Sequence, residues 1–226
     1  MEPEITDQTR TDIEARNKII VEYLPHVKRI VNRMAVNLPS SVENEELGIP
    51  AGLQDRVIQT YEGLVYMDFS EEKSERMQGF SCGHYEPLDV ELLPPLYVAY
   101  STNVSEPTEI IHNNLRERFD RGEPDVVDAM GQFAQLTVEA RKAILDGDGQ
   151  RLERLIDENF DLRLSICRLP AGQVEMIERA RKAGASAKFA GSGGAIVGTY
   201  GDEPTFARLE SELSAIGCRV LRVMPC

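Results

Sequence analysis

Ala187-Lys188-Phe189-Ala190-Gly191-Ser192-Gly193-Gly194-Ala195-Ile196-Val197-Gly198-Thr199-Tyr200 sets a Gly-Ser-Gly-Gly core between two apolar runs. Two such runs around a glycine core predict a hairpin of core strands. Glycine there lets backbone come close to another loop or to a phosphate where a β-carbon would obstruct it. The glycines alone leave two readings open, a flexible turn or a phosphate-facing loop, because short glycine-rich patterns also arise by chance.

Downstream, Asp202 and Pro204 start a helix carrying Phe206, Leu209, Leu213 and Ile216, stopped by Gly217 before a strand around Arg219 to Val223. Upstream lie three helical patterns. Pro124 and Asp125 open one with Val126, Met130, Phe133, Thr137, Ala140 and Ile144 on one face; Asp148 caps a second with Leu152, Leu155, Ile156 and Phe160; Pro170 opens a third that stops at Gly184. Before these come a helical segment bearing His112, Arg116 and Arg118, a strand within Leu93 to Tyr100, a charged loop over Ser70 to Gln78, and a strand over Leu64 to Phe69.

Gly48, Pro50 and Gly52 make an irregular entry to a short helix with Leu53, Val57, Ile58 and Tyr61, and Asp55 and Arg56 fall in its first turn. An acid there suits the helix dipole, and it is equally placed to act as a base beside a substrate hydroxyl. From Asp12 to Leu38 apolar residues recur at helical steps, interrupted at Pro25, with Lys28, Arg29 and Arg33 on the other face. The predicted class is α+β, a mainly antiparallel sheet layered with helices, preceded by an N-terminal helical segment.

Composition narrows the function. Residues 1–42 hold six acidic and six basic side chains, while residues 43–226 hold 32 acidic and 19 basic ones and so carry the entire net charge of −13. Such an acidic bulk argues against direct reading of DNA, because phosphate backbones are bound by excess Lys and Arg. No apolar run reaches the roughly 20 residues that span a bilayer, and the acidic N-terminus is unlike a secretory signal. A cytoplasmic protein is expected. Cys82, Cys167, Cys218 and Cys226 show no CxxC spacing, which argues against structural zinc.

Glu45-Glu46-Leu47-Gly48-Ile49, Ala51-Gly52-Leu53-Gln54-Asp55-Arg56-Val57, Leu64-Val65-Tyr66-Met67-Asp68-Phe69 and the glycine hairpin, in that order, resemble the GHMP small-molecule kinases, most of all the glucuronokinase-like sugar kinases. The resemblance runs from about residue 43 to the end. It implies transfer of the γ-phosphoryl group of ATP, with Mg2+, to a hydroxyl of a sugar or sugar acid. Asp55 matches the family's catalytic aspartate, which accepts or orients the hydroxyl proton. Gly191, Ser192, Gly193 and Gly194 match its third motif, beside the phosphate loop. Arg116 and Arg118 are candidates to pair with a uronate carboxylate, a geometry that guanidinium forks suit.

The family's own Gly-Ser phosphate loop, of the pattern Pro-x-x-x-Gly-Leu-x-Ser-Ser-Ala, matches no run in these 226 residues, and Leu38-Pro39-Ser40-Ser41 is only a faint echo. Glu22-Tyr23-Leu24-Pro25-His26-Val27-Lys28-Arg29-Ile30-Val31, continuing to Val42, resembles instead the start of the core region of flagellar-type sigma factors. Three parts are therefore expected: a sigma-like segment over 1–42, a remnant of the kinase N-terminal domain over 43–70, and the kinase C-terminal domain over 71–226. The expected activity is a sugar kinase that is weak or inactive alone. The alternative is a non-catalytic interaction protein whose N-terminal helix docks on RNA polymerase or another partner.

Overall fold

The computed structural model describes residues 53–77, 80–102, 109–191 and 193–224, so the sigma-like segment lies outside the described residues. Two units divide the chain, one ending at Leu88 and the other beginning at Asp89.

In the first unit, helix α1 (Leu53–Tyr61) buries Val57 completely against Tyr85, with Tyr61, Val65 and Met67 packed around the pair. Strand β1 (Leu64–Asp68) runs antiparallel to β4 (His84–Leu88), pairing Leu64 with Leu88 and Asp68 with His84. Between them β2 (Glu75–Met77) and β3 (Phe80–Cys82) form a separate hairpin. This corrects the loop expected over Ser70 to Gln78, where only Glu71–Lys73 makes a short 3-10 turn. The cross-strand partners supply this strand, and no alternation within the segment announces it. The strand expected through Phe69 stops at Asp68, whose carboxylate accepts the Ser70 N–H at 3.0 Å and Lys73 Nζ at 2.8 Å and so turns the chain. Strand β4 was also unread in the sequence; Pro87 within it is tolerated because β4 pairs on one side only.

The second unit is built on a four-stranded antiparallel sheet in the order β6-β7-β5-β8. Its strands are β5 (Leu96–Ser101), β6 (Lys188–Phe189), β7 (Ala195–Thr199) and β8 (Cys218–Val223). The helices are α2 (Glu109–Asp120), α3 (Pro124–Leu145), α4 (Gly149–Ile166), α5 (Ala171–Lys182) and α6 (Glu203–Ser214). Local chemistry sets their ends. Asp148 accepts the Arg151 N–H at 2.9 Å and Asp202 accepts that of Thr205 at 2.8 Å, each satisfying an amide that the first helical turn leaves free.

One sheet face carries the core. Tyr97 and Ala99 from β5 and Ile196 from β7 are fully buried with Met176, Ile177 and Ala180 of α5 and Leu209 and Leu213 of α6. Phe160 of α4 meets Phe189 of β6 edge to face at 5.3 Å between ring centroids. The α+β class, with an antiparallel sheet and layered helices, is borne out.

Candidate functional site

On α1, Asp55 and Val57 are two residues apart, about 200° around the helix. Burial of Val57 therefore holds Asp55 outward, and Asp55 is exposed in the first helical turn. It belongs to the first unit.

The glycines belong to the second unit. Gly191, Gly193 and Gly194 form the turn between β6 and β7, and Ser192 lies outside the described residues. Gly193 has φ 148° and Gly194 φ 75°, both in the region that favours glycine. A β-carbon on Gly193 would collide with the Gln173 carboxamide, whose Nε2 lies 3.1 Å from that position. Gln173 Oε1 itself is buried without a hydrogen-bond donor among the described residues. At Gly191 a β-carbon would meet nothing within 4 Å. The far end of β7 is fixed differently. A β-carbon on Gly198 would run into the Ser186 carbonyl, with Tyr97 Cε1 3.0 Å away. The Tyr97 hydroxyl donates to that carbonyl at 2.9 Å, and burial raises its pKa, so it stays a donor.

Strand β6 is an edge, and its register shows how the edge is closed. Backbone bonds from Ser186 N–H to Thr199 O and from Ala190 N–H to Ala195 O turn the even-numbered residues toward β7. Ala187 and Phe189 therefore face the open side, and side chains meet them there. Asp157 Oδ1 accepts the Ala187 N–H at 2.9 Å, Lys188 Nζ donates to Phe189 O at 3.0 Å, and Arg163 Nη1 donates to Gly191 O at 2.9 Å. This protects the edge from further pairing.

The charges at this edge are unequal. Asp157 is engaged by Arg181 Nε at 3.0 Å, and burial raises its carboxyl pKa against those contacts. Arg163 lies over the Phe189 ring, 5.2 Å from its centroid, and burial lowers its guanidinium pKa. Burial, and then the charge of Arg163, pull the Lys188 ammonium below the ordinary lysine value. The Cys167 thiol is pushed up by burial, against the pull of Arg163 and Arg118. Arg163 and Lys188 thus place two cationic donors on carbonyls at and beside the glycine turn.

Of the two arginines singled out in the sequence, Arg116 is well exposed and pairs with Asp120 at 2.9 Å one turn on. Arg118 is tied down, donating to Glu123 Oε2 at 2.6 Å, Asp125 Oδ2 at 2.5 Å and Ile166 O at 2.6 Å. Sequence reasoning missed Arg163, Gln173 and Lys188. Lys188 stands inside the quoted stretch, but only the register shows which way its edge opens. No group of acidic, His and Cys side chains suited to a metal ion occurs among the described residues.

Two cations, Arg163 and Lys188, flank the glycine turn, the space beside the α-carbon of Gly191 is open, and the Gln173 carboxamide fills the space beside the α-carbon of Gly193.

A family model described as GHMP kinases C terminal matches residues 140–217, which contain this turn. Glucuronokinase 1 of Arabidopsis thaliana is 41% identical over 180 residues, 78% of this chain and 48% of that protein. Probable glucuronokinase 2 of the same plant is 44% identical over 173 residues, 74% of this chain and 46% of that protein. The chain therefore spans about half the length of the curated relatives it matches. Among solved structures, L. major mevalonate kinase in complex with R-mevalonate superposes with TM-score 0.61 at 21% identity, covering 79% of this chain and 55% of that one. Lactococcus lactis galactokinase complexed with galactose gives TM-score 0.61 at 16% identity, covering 84% and 58%. At these identities the structures speak for the fold, and the fold is that of the GHMP kinase C-terminal region.

Proposed function

We propose that this chain, which carries a GHMP kinase C-terminal region, serves ATP-dependent phosphoryl transfer to a hydroxyl of a sugar acid, with glucuronate as substrate, and works only weakly by itself. The observation that carries the reading is the 41% identity to a glucuronokinase over 180 residues. The exposed carboxylate of Asp55 on α1 and the open glycine turn support it.

In this reading Asp55 accepts the proton of the sugar hydroxyl as that oxygen bonds to the γ-phosphorus, and the bond from phosphorus to the β-γ bridging oxygen breaks, releasing ADP. Mg-ATP supplies the phosphoryl group. The turn of Gly191, Gly193 and Gly194, with Ser192 of the same motif, is proposed to lie beside the phosphates. Arg116 and Arg118 are proposed to meet the uronate carboxylate. Arg116 is the more available of the two, since its present partner is a single exposed carboxylate.

Weakness alone is proposed because no run in the 226 residues matches the family's Gly-Ser phosphate loop. The test is phosphorylation of glucuronate, and of galactose for comparison, by the full chain with Mg-ATP and with Asp55→Asn as control.

A further inference from the structure

Helix α3 turns one face inward, with Val126, Ala129 and Ala143 buried, yet its outer face is not polar throughout. Val127, Val138 and Leu145 lie there, 41%, 48% and 44% exposed. With Gly131, Ala134 and Arg141 they step by four and three residues in alternation, which confines all six to about 80° of the helix surface. That is the spacing of a seam between two helices. Gly131 adds an independent observation. A glycine inside a helix costs about 1 kcal/mol relative to alanine. A β-carbon on Gly131 would meet nothing within 4 Å, so the packing of the described residues gives no reason for it. Close approach of a second backbone would give one.

Charge selects the occupant. Asp128, Gln135 and Lys142 follow one another at seven-residue steps along one flank of the seam, all exposed. Among the described residues neither Asp128 nor Lys142 has an ion-pair partner. We propose that a second copy of this chain covers the seam, its α3 running antiparallel about a two-fold axis at Leu136. The axis sets Val127 against the partner's Leu145, Ala134 against the partner's Val138, and Gly131 beside the stem of the partner's Arg141. On the flank the same operation brings Asp128 within about 3 Å of helix rise of the partner's Lys142, twice over, and Gln135 near its own counterpart. A parallel pairing would instead set Arg141 against its own counterpart inside the seam. The acid and the base on the flank are thus placed to satisfy each other only across an antiparallel pair of identical helices.

One helix pair about 33 Å long buries less than the ~800 Å² per partner of a standard interface, so the dimer is weak, with a dissociation constant of about 10–100 μM. Sedimentation equilibrium of the full chain reads it, at concentrations from well below to well above that constant. Salt is held at ~0.15 M, where charges more than about 8 Å apart are screened, so the net charge of −13 on each copy does not mask the local pairs. The weight-average mass should rise from one chain to two. Val138→Glu and Gly131→Leu should each weaken association about tenfold or more without lowering the melting temperature of the dilute protein. Asp128→Lys should weaken it about five- to tenfold, because one substitution acts at two symmetric pairs. Adding Lys142→Asp to that variant should return the affinity to within about twofold of the wild type.

A wild type that stays one chain at every concentration overturns the proposal. So does a dimer of equal strength in Val138→Glu, which places the contact on another surface, or a charge reversal that Lys142→Asp fails to rescue, which removes the antiparallel register. A single-chain wild type whose melting temperature falls with Val138→Glu shows that the chain covers the seam itself, and overturns it as well. None of these readouts involves phosphoryl transfer, so the dimer and the kinase reading stand or fall separately.

Discussion

Asp157 Oδ1 on α4 sits 2.9 Å from the amide nitrogen of Ala187, so a helical carboxylate, in place of a fifth strand, receives the N–H that β6 turns outward. Asp157→Asn keeps an acceptor there, whereas Asp157→Ala leaves that N–H without one and removes the partner of Arg181 Nε, while Arg181 keeps Asp161 and the residue 157 carbonyl. The alanine variant should be less stable than the asparagine variant by about 1–3 kcal/mol. Burial raises the pKa of this carboxyl in the folded state, so the folded state binds its proton more tightly. Its contribution to stability therefore falls as pH rises from the unfolded value of 3.8 through the raised folded value. Urea midpoints measured between pH 3 and 6 should show that slope in the wild type and not in Asp157→Asn. Equal midpoints for the two variants would contradict the assignment.

Asp68 has the opposite sign. The hydrogen bond from Lys73, and then those from Ser70, hold its pKa down to about 2, below the unfolded 3.8. Its contribution is present above 3.8 and is lost as pH falls toward about 2. The stability gap between wild type and Asp68→Asn should close over that window, and Lys73→Met should narrow it above pH 3.8. A gap unchanged at pH 2 would sink the assignment.

Glycines in the hairpin should differ sharply. At Gly198 an added methyl meets the Ser186 carbonyl carbon 2.6 Å away within a buried strand pair, and Gly198→Ala should cost about 3 kcal/mol or more. Gly191→Ala enters open space and should change stability by less than about 0.5 kcal/mol. Thermal melts compare the two directly, and equal losses would show that the hairpin does not pack as described.

Arg116 and Arg118 should separate in the same way. Arg118→Ala removes donors to Glu123, Asp125 and Ile166 O and should lower the melting temperature. Arg116→Gln loses an exposed pair with Asp120 and should leave melting unchanged while weakening glucuronate binding, with galactose unaffected. Glucuronate binding unchanged by Arg116→Gln would remove it from the substrate site.

What the sequence made legible was chemistry confined to a few neighbouring residues. Asp148 and Asp202 cap the helices that their positions in the sequence assign to them, Gly184 follows the end of α5, and the apolar steps of α3, α4 and α6 match their helices. The β2–β3 hairpin was not legible, because Glu75 to Met77 becomes a strand only through Phe80 to Cys82. Strand β4 hid behind Pro87 for the same reason. Within the site, Asp55 and the glycines could be quoted from motifs alone. Arg163 could not, since it meets Gly191 from 28 residues away. Nor could the position of Lys188, which depends on edge parity in a sheet whose order is not written along the chain.

The most direct measurement is phosphorus NMR of glucuronate with Mg-ATP and the full chain at high concentration, wild type beside Asp55→Asn. Slow, glucuronate-dependent formation of a sugar phosphate, reduced by about 100-fold or more in Asp55→Asn, is the predicted result. Sugar phosphate formed equally by both proteins, no sugar phosphate from the wild type, or wild-type turnover near the ~10 s⁻¹ typical of enzymes would contradict the account.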